Sequence, residues 1–324
     1  MTAYLRRHTA TYLAVLGVVL TLNFLLPRAI PGNPIEQLTS GVGNLSVQID
    51  PETLQSLRSY YGLDRPLFDQ FISYLKGLCK GDLGYSASFR APVTVILEER
   101  LPWTIFLIVT SLFISFSAAL VMGTRAAKSR GKDWQVLLPA VFLESMPPFV
   151  LGSLLLILLA VKIPIFPLSG AYTAFSQLRG PTALLDIGYH AVLPVLVLAA
   201  SNFFSAYLIV RGSVSMVENE PHVLMAEIKG LPERTIRYRY VLRTALLPVV
   251  TFFGVRLAYS TGRAILVEVL FAYPGIGRLI HEAVLSHDYA LLQGAFLVFT
   301  LWVILINFAT DCLYLSLDPR VREV

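Results

Sequence analysis

The sequence predicts an all-α integral membrane protein with six transmembrane helices, and three observations predict it. The chain is 55% hydrophobic and only 15% charged, with a mean hydropathy of +0.65, which is too apolar for an average soluble domain of its 324 residues. Apolar runs long enough to cross about 30 Å of hydrocarbon recur along it. Its Lys and Arg residues gather in the loops between those runs, so a net charge of +5 and a pI near 9.2 describe topology and give no reason to expect nucleic acid as a partner.

The elements follow in order. Arg6, Arg7 and His8 precede an apolar run from Thr9 to Leu26. No small-residue cleavage site follows it, so residues 1–27 are expected to be a retained first span with its N-terminus inside. Residues 28–100 carry seven Lys/Arg against eight Asp/Glu, without the basic excess of a cytoplasmic loop, and are expected to form a small extracytoplasmic cap. Within the cap, Asp50-Pro51-Glu52 reads as a helix start, with Leu54, Leu57 and Tyr61 on one face.

Residues 101–318 are expected to hold the other five spans. Leu101 to Gly123 is the second, and Arg125, Lys128, Arg130 and Lys132 make the loop after it cytoplasmic. Trp134 to Val161 is the third, in which Pro147-Pro148 should kink the helix. After an outer loop over 162–190, Ala191 to Val210 is the fourth. Ala245 to Leu270 is the fifth and the most polar, carrying Arg256, Ser260, Thr261, Gly262, Arg263 and Glu268. An unpaired charge facing lipid there costs about 3 kcal/mol, so this helix is expected to line a water-filled path. Ala290 to Leu313 is the sixth, and Arg320 and Arg322 in the tail, residues 319–324, keep the C-terminus inside. Cys79 and Cys312 fall on opposite sides and suggest neither a disulfide nor a thiolate site.

The segment 217–248 joins the fourth and fifth spans. Glu218 and Glu220 before Pro221 make a helix start; Val223, Leu224, Met225, Ala226 and Ile228 give that helix an apolar surface. Gly230 can end it in a left-handed turn, and Leu231-Pro232-Glu233 can begin a second, Arg-rich helix. Such a helix suits docking into a groove on a soluble partner, but composition alone favours an ordinary cytoplasmic loop lying on the lipid headgroups, with Arg234, Arg237, Arg239 and Arg243 meeting phosphates.

Glu220, Val223, Ala226 and Lys229-Gly230-Leu231, followed by Arg243, Ala245 and Leu246-Leu247-Pro248, resemble the coupling segment of ABC importer permeases. The spacing from Gly230 to Pro248 is similar to the dipeptide/oligopeptide/nickel branch. So are Pro31-Gly32-Asn33-Pro34, Tyr61-Gly62-Leu63-Asp64-Arg65-Pro66, Gly81-Asp82-Leu83-Gly84-Tyr85-Ser86, Ser145-Met146-Pro147 with Phe149, Phe271-Ala272-Tyr273-Pro274-Gly275-Ile276-Gly277-Arg278-Leu279 with Asp288-Tyr289, and Leu317-Asp318-Pro319-Arg320. Pro221, Leu224, Met225, Glu227, Glu144 and Arg256 depart from the usual residues. The resemblance implies the type I importer fold with an insertion after the first helix, in a prokaryotic inner membrane. It also implies a second permease subunit, two cytoplasmic ATPase subunits that bind ATP and Mg, an extracytoplasmic substrate-binding protein, and alternating access. Glu220, Val223, Ala226, Lys229, Gly230 and Leu231 would then couple the ATPase to the spans.

No phosphate-cradling glycine loop, catalytic triad, CxxC or HExxH occurs, so the chain is not expected to be an enzyme or to hold a cofactor of its own. Glu144, Arg256, Ser260, Arg263 and Glu268 are the candidates for the translocation path, and Asp311 is a further intramembrane charge. Against a path role, these charges can pair with one another, Arg263 with Glu268 for instance, or snorkel to the interface. His281 and His287 invite a metal reading, but their spacing would put them on different helix faces, and His190 is a lone interfacial histidine, a kind more often simply hydrogen-bonded than a ligand. With the resemblance, the expected function is the permease subunit of an ATP-driven importer of di- or oligopeptides; a permease for nickel, a metal chelate or another small solute, and a secondary transporter or channel, are the alternatives.

Overall fold

The computed structural model describes residues 2–29, 40–41, 45–46, 65–127, 134–176 and 178–317. Helices dominate: α1 (Thr2–Ala29), α2 (Leu67–Cys79), α3 (Val93–Ala127), α4 (Trp134–Ser145), α5 (Pro148–Lys162), α6 (Pro181–Glu218), α7 (Pro221–Ile228), α8 (Glu233–Leu270), α9 (Ile276–Leu285) and α10 (Tyr289–Leu317). The strands are two short antiparallel pairs, β1 (Ser40–Gly41) with β2 (Leu45–Ser46) and β3 (Tyr85–Ser86) with β4 (Ala91–Pro92). The expected words around Pro31, Asp50 and Tyr61, the basic loop of Lys128, Arg130 and Lys132, the tail beyond Leu317, and the side chains of Arg6, Arg7, His8 and Asp311 lie outside the described residues.

Among the described residues, α3, α6, α8 and Tyr289–Thr310 of α10 are long and apolar enough to cross a membrane. The expected third span is not one kinked helix: α4 and α5 meet at 102°. Pro148 bars the helical conformation at the residue before it, and Pro147 accordingly sits at φ −56°, ψ 137°, after which Pro148 opens a new helix at its first position. Two adjacent prolines also remove two N–H donors, so no helical ladder bridges the joint. Counted as one broken span, the pair brings the total to five. In α1, a helix of 28 residues, the side chains described are those of Thr11–Leu25, and they form an apolar stretch.

The chain divides into two compact units, Met1–Pro102 with Arg278–Leu301, and Trp103–Gly277 with Trp302–Val324. In the first, Asp288 is 5% exposed and joins two elements: Oδ2 accepts from the Ser86 hydroxyl at 2.6 Å and the Ser88 N–H at 3.0 Å, while Oδ1 accepts from the Leu291 N–H at the start of α10. Asn23 of α1 donates to the Gln293 carbonyl at 2.8 Å and to the Tyr74 hydroxyl at 3.2 Å.

The second unit is built on α3, α6 and α8. Leu107, Ile108 and Leu112 pack in one core with Val197, Leu198, Tyr207, Ala264 and Val267. Small residues set the closest approaches, as is usual where helices associate without a hydrophobic driving force. A Cβ on Gly152 would come within 2.6 Å of Leu270 Cδ2, and one on Gly254 would overlap Thr310.

Candidate functional site

Arg256, Ser260 and Arg263 follow one another on α8 at spacings of four and three, so they share a face. That face meets a polar patch on α6. Ser260, 1% exposed, reaches Asn202 Oδ1 at 3.5 Å. Arg263 donates from Nη1 to the Ser201 carbonyl at 2.6 Å and to Asn202 Oδ1 at 3.4 Å. The Asn202 amide nitrogen is held by the Leu198 carbonyl at 2.9 Å, which turns Oδ1 toward α8.

Glu144 joins this seam from α4. Ser205 of α6 donates its hydroxyl hydrogen to Glu144 Oε1 and accepts from Arg256 Nη2, and the two charged groups are 3.6 Å apart. The Arg256 guanidinium also lies over the Phe252 ring, 5.0 Å from its centroid. In low-dielectric surroundings such a pair holds only if hydrogen bonds and geometry offset desolvation, and Ser205 and Phe252 supply both. Four of the five path candidates are thus brought together. Ser201, Asn202 and Ser205, which complete the seam, were absent from the sequence-based candidates; the available signal was three polar residues at i, i+1 and i+4 inside an apolar span.

Glu268 stands apart from the seam, and the alternative pairing of Arg263 with Glu268 does not form. Glu268 is fully buried, its carboxylate accepting from Thr104 Oγ1 at 2.7 Å and from the Gly277 N–H at 2.7 Å, while Thr104 Oγ1 accepts from the Ile276 N–H at 2.8 Å. The carboxylate explains two glycines in the turn after α8. A Cβ on Gly275 would overlap it, and one on Gly277 would lie 2.9 Å from Oε2 and 2.5 Å from Ile265 Cα. Tyr273 beside it is wholly buried, and burial together with the Glu268 charge pushes its hydroxyl well above the ordinary tyrosine range.

The segment between α6 and α8 forms from local signals. Glu220 caps α7 in an extended conformation and Pro221 occupies the first helical position. At the other end Gly230 adopts φ +69°; its N–H donates to the Glu227 carbonyl at 2.9 Å and the Leu231 N–H to the Ala226 carbonyl at 3.3 Å. These are the paired bonds of a Schellman cap, which needs a left-handed residue at that position. Val223 and Ala226 are each 2% exposed and pack in the core with Ile236 and Val241, and Leu231 packs against it. The opposite surface of α7 is open: Leu224 is 57%, Met225 54% and Ile228 71% exposed, and Glu220 and Lys229 are exposed as well.

Among the described residues no three potential metal ligands cluster. His190 is engaged by the Asp186 backbone carbonyl at 2.9 Å, and Cys79 and Cys312 are both free thiols.

The family model "Binding-prot-dependent transport system membrane comp, N-term" matches residues 1–108, and "Binding-protein-dependent transport system inner membrane component" matches residues 118–323. The chain is similar to the oligopeptide transport system permease protein AppB of Bacillus subtilis, 27% identical over 99% of this chain and 100% of that one. It is 32% identical to the glutathione transport system permease protein GsiC of Escherichia coli over 99% of each, and 30% identical to the di/tripeptide transport system permease protein DppB of Pseudomonas aeruginosa over 100% of this chain and 99% of that one. With family models matching over both parts of its length and relatives aligned end to end, this multi-pass chain belongs to the binding-protein-dependent transport system inner membrane components.

Proposed function

We propose that the chain is the membrane-spanning permease subunit of an ATP-driven importer of di- or oligopeptides, coupled through α7 to ATPase subunits on partner chains. The observation that carries this reading is the two-sidedness of α7: Val223 and Ala226 anchor it in the core, while Leu224, Met225 and Ile228 present an apolar surface that none of the described residues covers. An amphipathic helix held rigidly at both ends transmits a push from a groove that grips it. The end-to-end likeness to oligopeptide, glutathione and di/tripeptide permeases supports peptide as the cargo.

In this reading α1 and the α4/α5 pair complete six spans with both termini cytoplasmic, and the segment after α1 is the extracytoplasmic insertion on which a binding protein docks. ATP and Mg are held by two cytoplasmic ATPase subunits. Val255, Tyr259, Gly262 and Leu266 form an exposed stripe along α8, which supports contact with a second permease subunit or lipid.

Two experiments test the reading. Extraction from the native membrane in mild detergent is expected to bring a sister permease and two ATPases with this chain; a chain that comes alone and moves solute without ATP would show the reading to be wrong. Gly230→Pro replaces a residue at φ +69° with one locked near −65° and removes the N–H given to Glu227. The cap is expected to open while the spans stay folded, so that the protein is made at normal levels and transport-coupled ATP hydrolysis falls to background. Full coupling in that variant would sink the role of α7.

A further inference from the structure

Arg263 carries a positive charge that no carboxylate of its seam neutralises, and we propose that its guanidinium is the station where the free carboxylate of the cargo is held during passage. This deepens the peptide-importer reading and rests on it. The charge inventory of the seam is one carboxylate, Glu144, and two guanidinium groups. Glu144 is committed to Arg256, through both the 3.6 Å ion pair and the bridging Ser205. Glu268, five residues beyond Arg263, is buried against Thr104 and Gly277. Arg263 is left with two neutral acceptors, the Ser201 carbonyl and Asn202 Oδ1, and it binds both through the single nitrogen Nη1.

The unused edge of the guanidinium, Nε with Nη2, has no acceptor among the described residues. It carries two parallel N–H groups, the fork that matches a carboxylate. The group is only half-buried, so the edge is reachable. Its depth excludes the lipid phosphates: Ser201 and Asn202 lie at the middle of α6, and an arginine on a helix leans toward the helix N-terminus, here away from the nearer end of α8. A cation at that depth with neutral partners alone is expensive, and it is retained where a passing anion uses it. Arg256, two helical turns away on the same face, is already neutralised and is not the station.

The test uses the assembled importer with its binding protein, reconstituted in vesicles, and three probes at concentrations that saturate the binding protein: trialanine, its C-terminal amide and its N-acetyl derivative. The proposal expects Arg263→Gln to lower ATP-dependent uptake of trialanine and of N-acetyl-trialanine about tenfold, the effect of losing one charge-assisted pair, and to leave the amide within about twofold. Arg263→Lys should restore part of the loss, since it returns the charge without the fork. If Arg263→Gln lowers acid and amide alike, the residue serves the fold or a sister subunit, and the station is overturned while the peptide reading stands. If discrimination between acid and amide follows Arg256→Gln instead, the assignment to Arg263 is overturned. A wild-type importer that hydrolyses ATP yet takes up none of the three peptides overturns the peptide reading and the station with it.

Discussion

Replacing Glu268 with Leu is expected to lower the amount of folded permease in the membrane at least tenfold. The carboxylate is fully buried and serves as the shared acceptor for the Thr104 hydroxyl and the Gly277 N–H, with Ile276 tied in through Thr104. Removing it orphans both donors at about 1–3 kcal/mol each, a sizeable part of the 5–15 kcal/mol that holds a typical domain together. Gln keeps the shape but turns one acceptor into a donor facing a donor, so Glu268→Gln should fall between Leu and wild type. Gly275→Ala should mimic Leu, because its Cβ would occupy the space of the carboxylate. The checks are the yield of monodisperse protein after detergent extraction and its Tm. Normal yield and Tm for Glu268→Leu would refute the structural role, and a folded variant that loses uptake would return Glu268 to the translocation path.

What the sequence made legible depended on how local the governing physics is. The start of α7 at Pro221 and its end at Gly230 emerge at the expected residues because caps are set by a few neighbouring groups. At Pro147-Pro148 a kink in one helix was expected for the same reason, and the structure has a break into two helices instead. Its 102° angle was not expected, because missing N–H donors say where a helix stops and nothing about where the next one packs. The face shared by Arg256, Ser260 and Arg263 follows from spacing alone. Their partners Ser201, Asn202 and Ser205 lie more than 50 residues away, and pairing at that range is decided by how α6 and α8 cross. The alternative pairing of Arg263 with Glu268 failed on geometry: residues five apart are rotated well off a common face, and Glu268 finds its donors instead in the Gly277 N–H of the turn after α8 and the Thr104 hydroxyl of α3.

That long-range pairing makes the Glu144–Arg256 couple the place where the largest non-additive effect is expected. Arg256→Leu leaves Glu144 with Ser205 as its one partner among the described residues and an uncompensated charge in a membrane helix, a loss of about 3–5 kcal/mol by analogy with broken buried pairs. Glu144→Leu should do less harm, because Arg256 keeps the Ser205 hydroxyl and the Phe252 ring. The double variant Glu144→Leu/Arg256→Leu removes both charges together, so its stability should return to within about 1 kcal/mol of wild type, with a coupling of about 1–3 kcal/mol across the cycle. Tm values of the assembled complex in detergent read the cycle directly. A double variant no more stable than Arg256→Leu alone would mean that the two residues do not act as a pair. Uptake then separates structure from passage: because each group neutralises the other, the double variant should carry trialanine within about threefold of wild type, whereas a stable double variant that transports nothing would place the pair in contact with cargo.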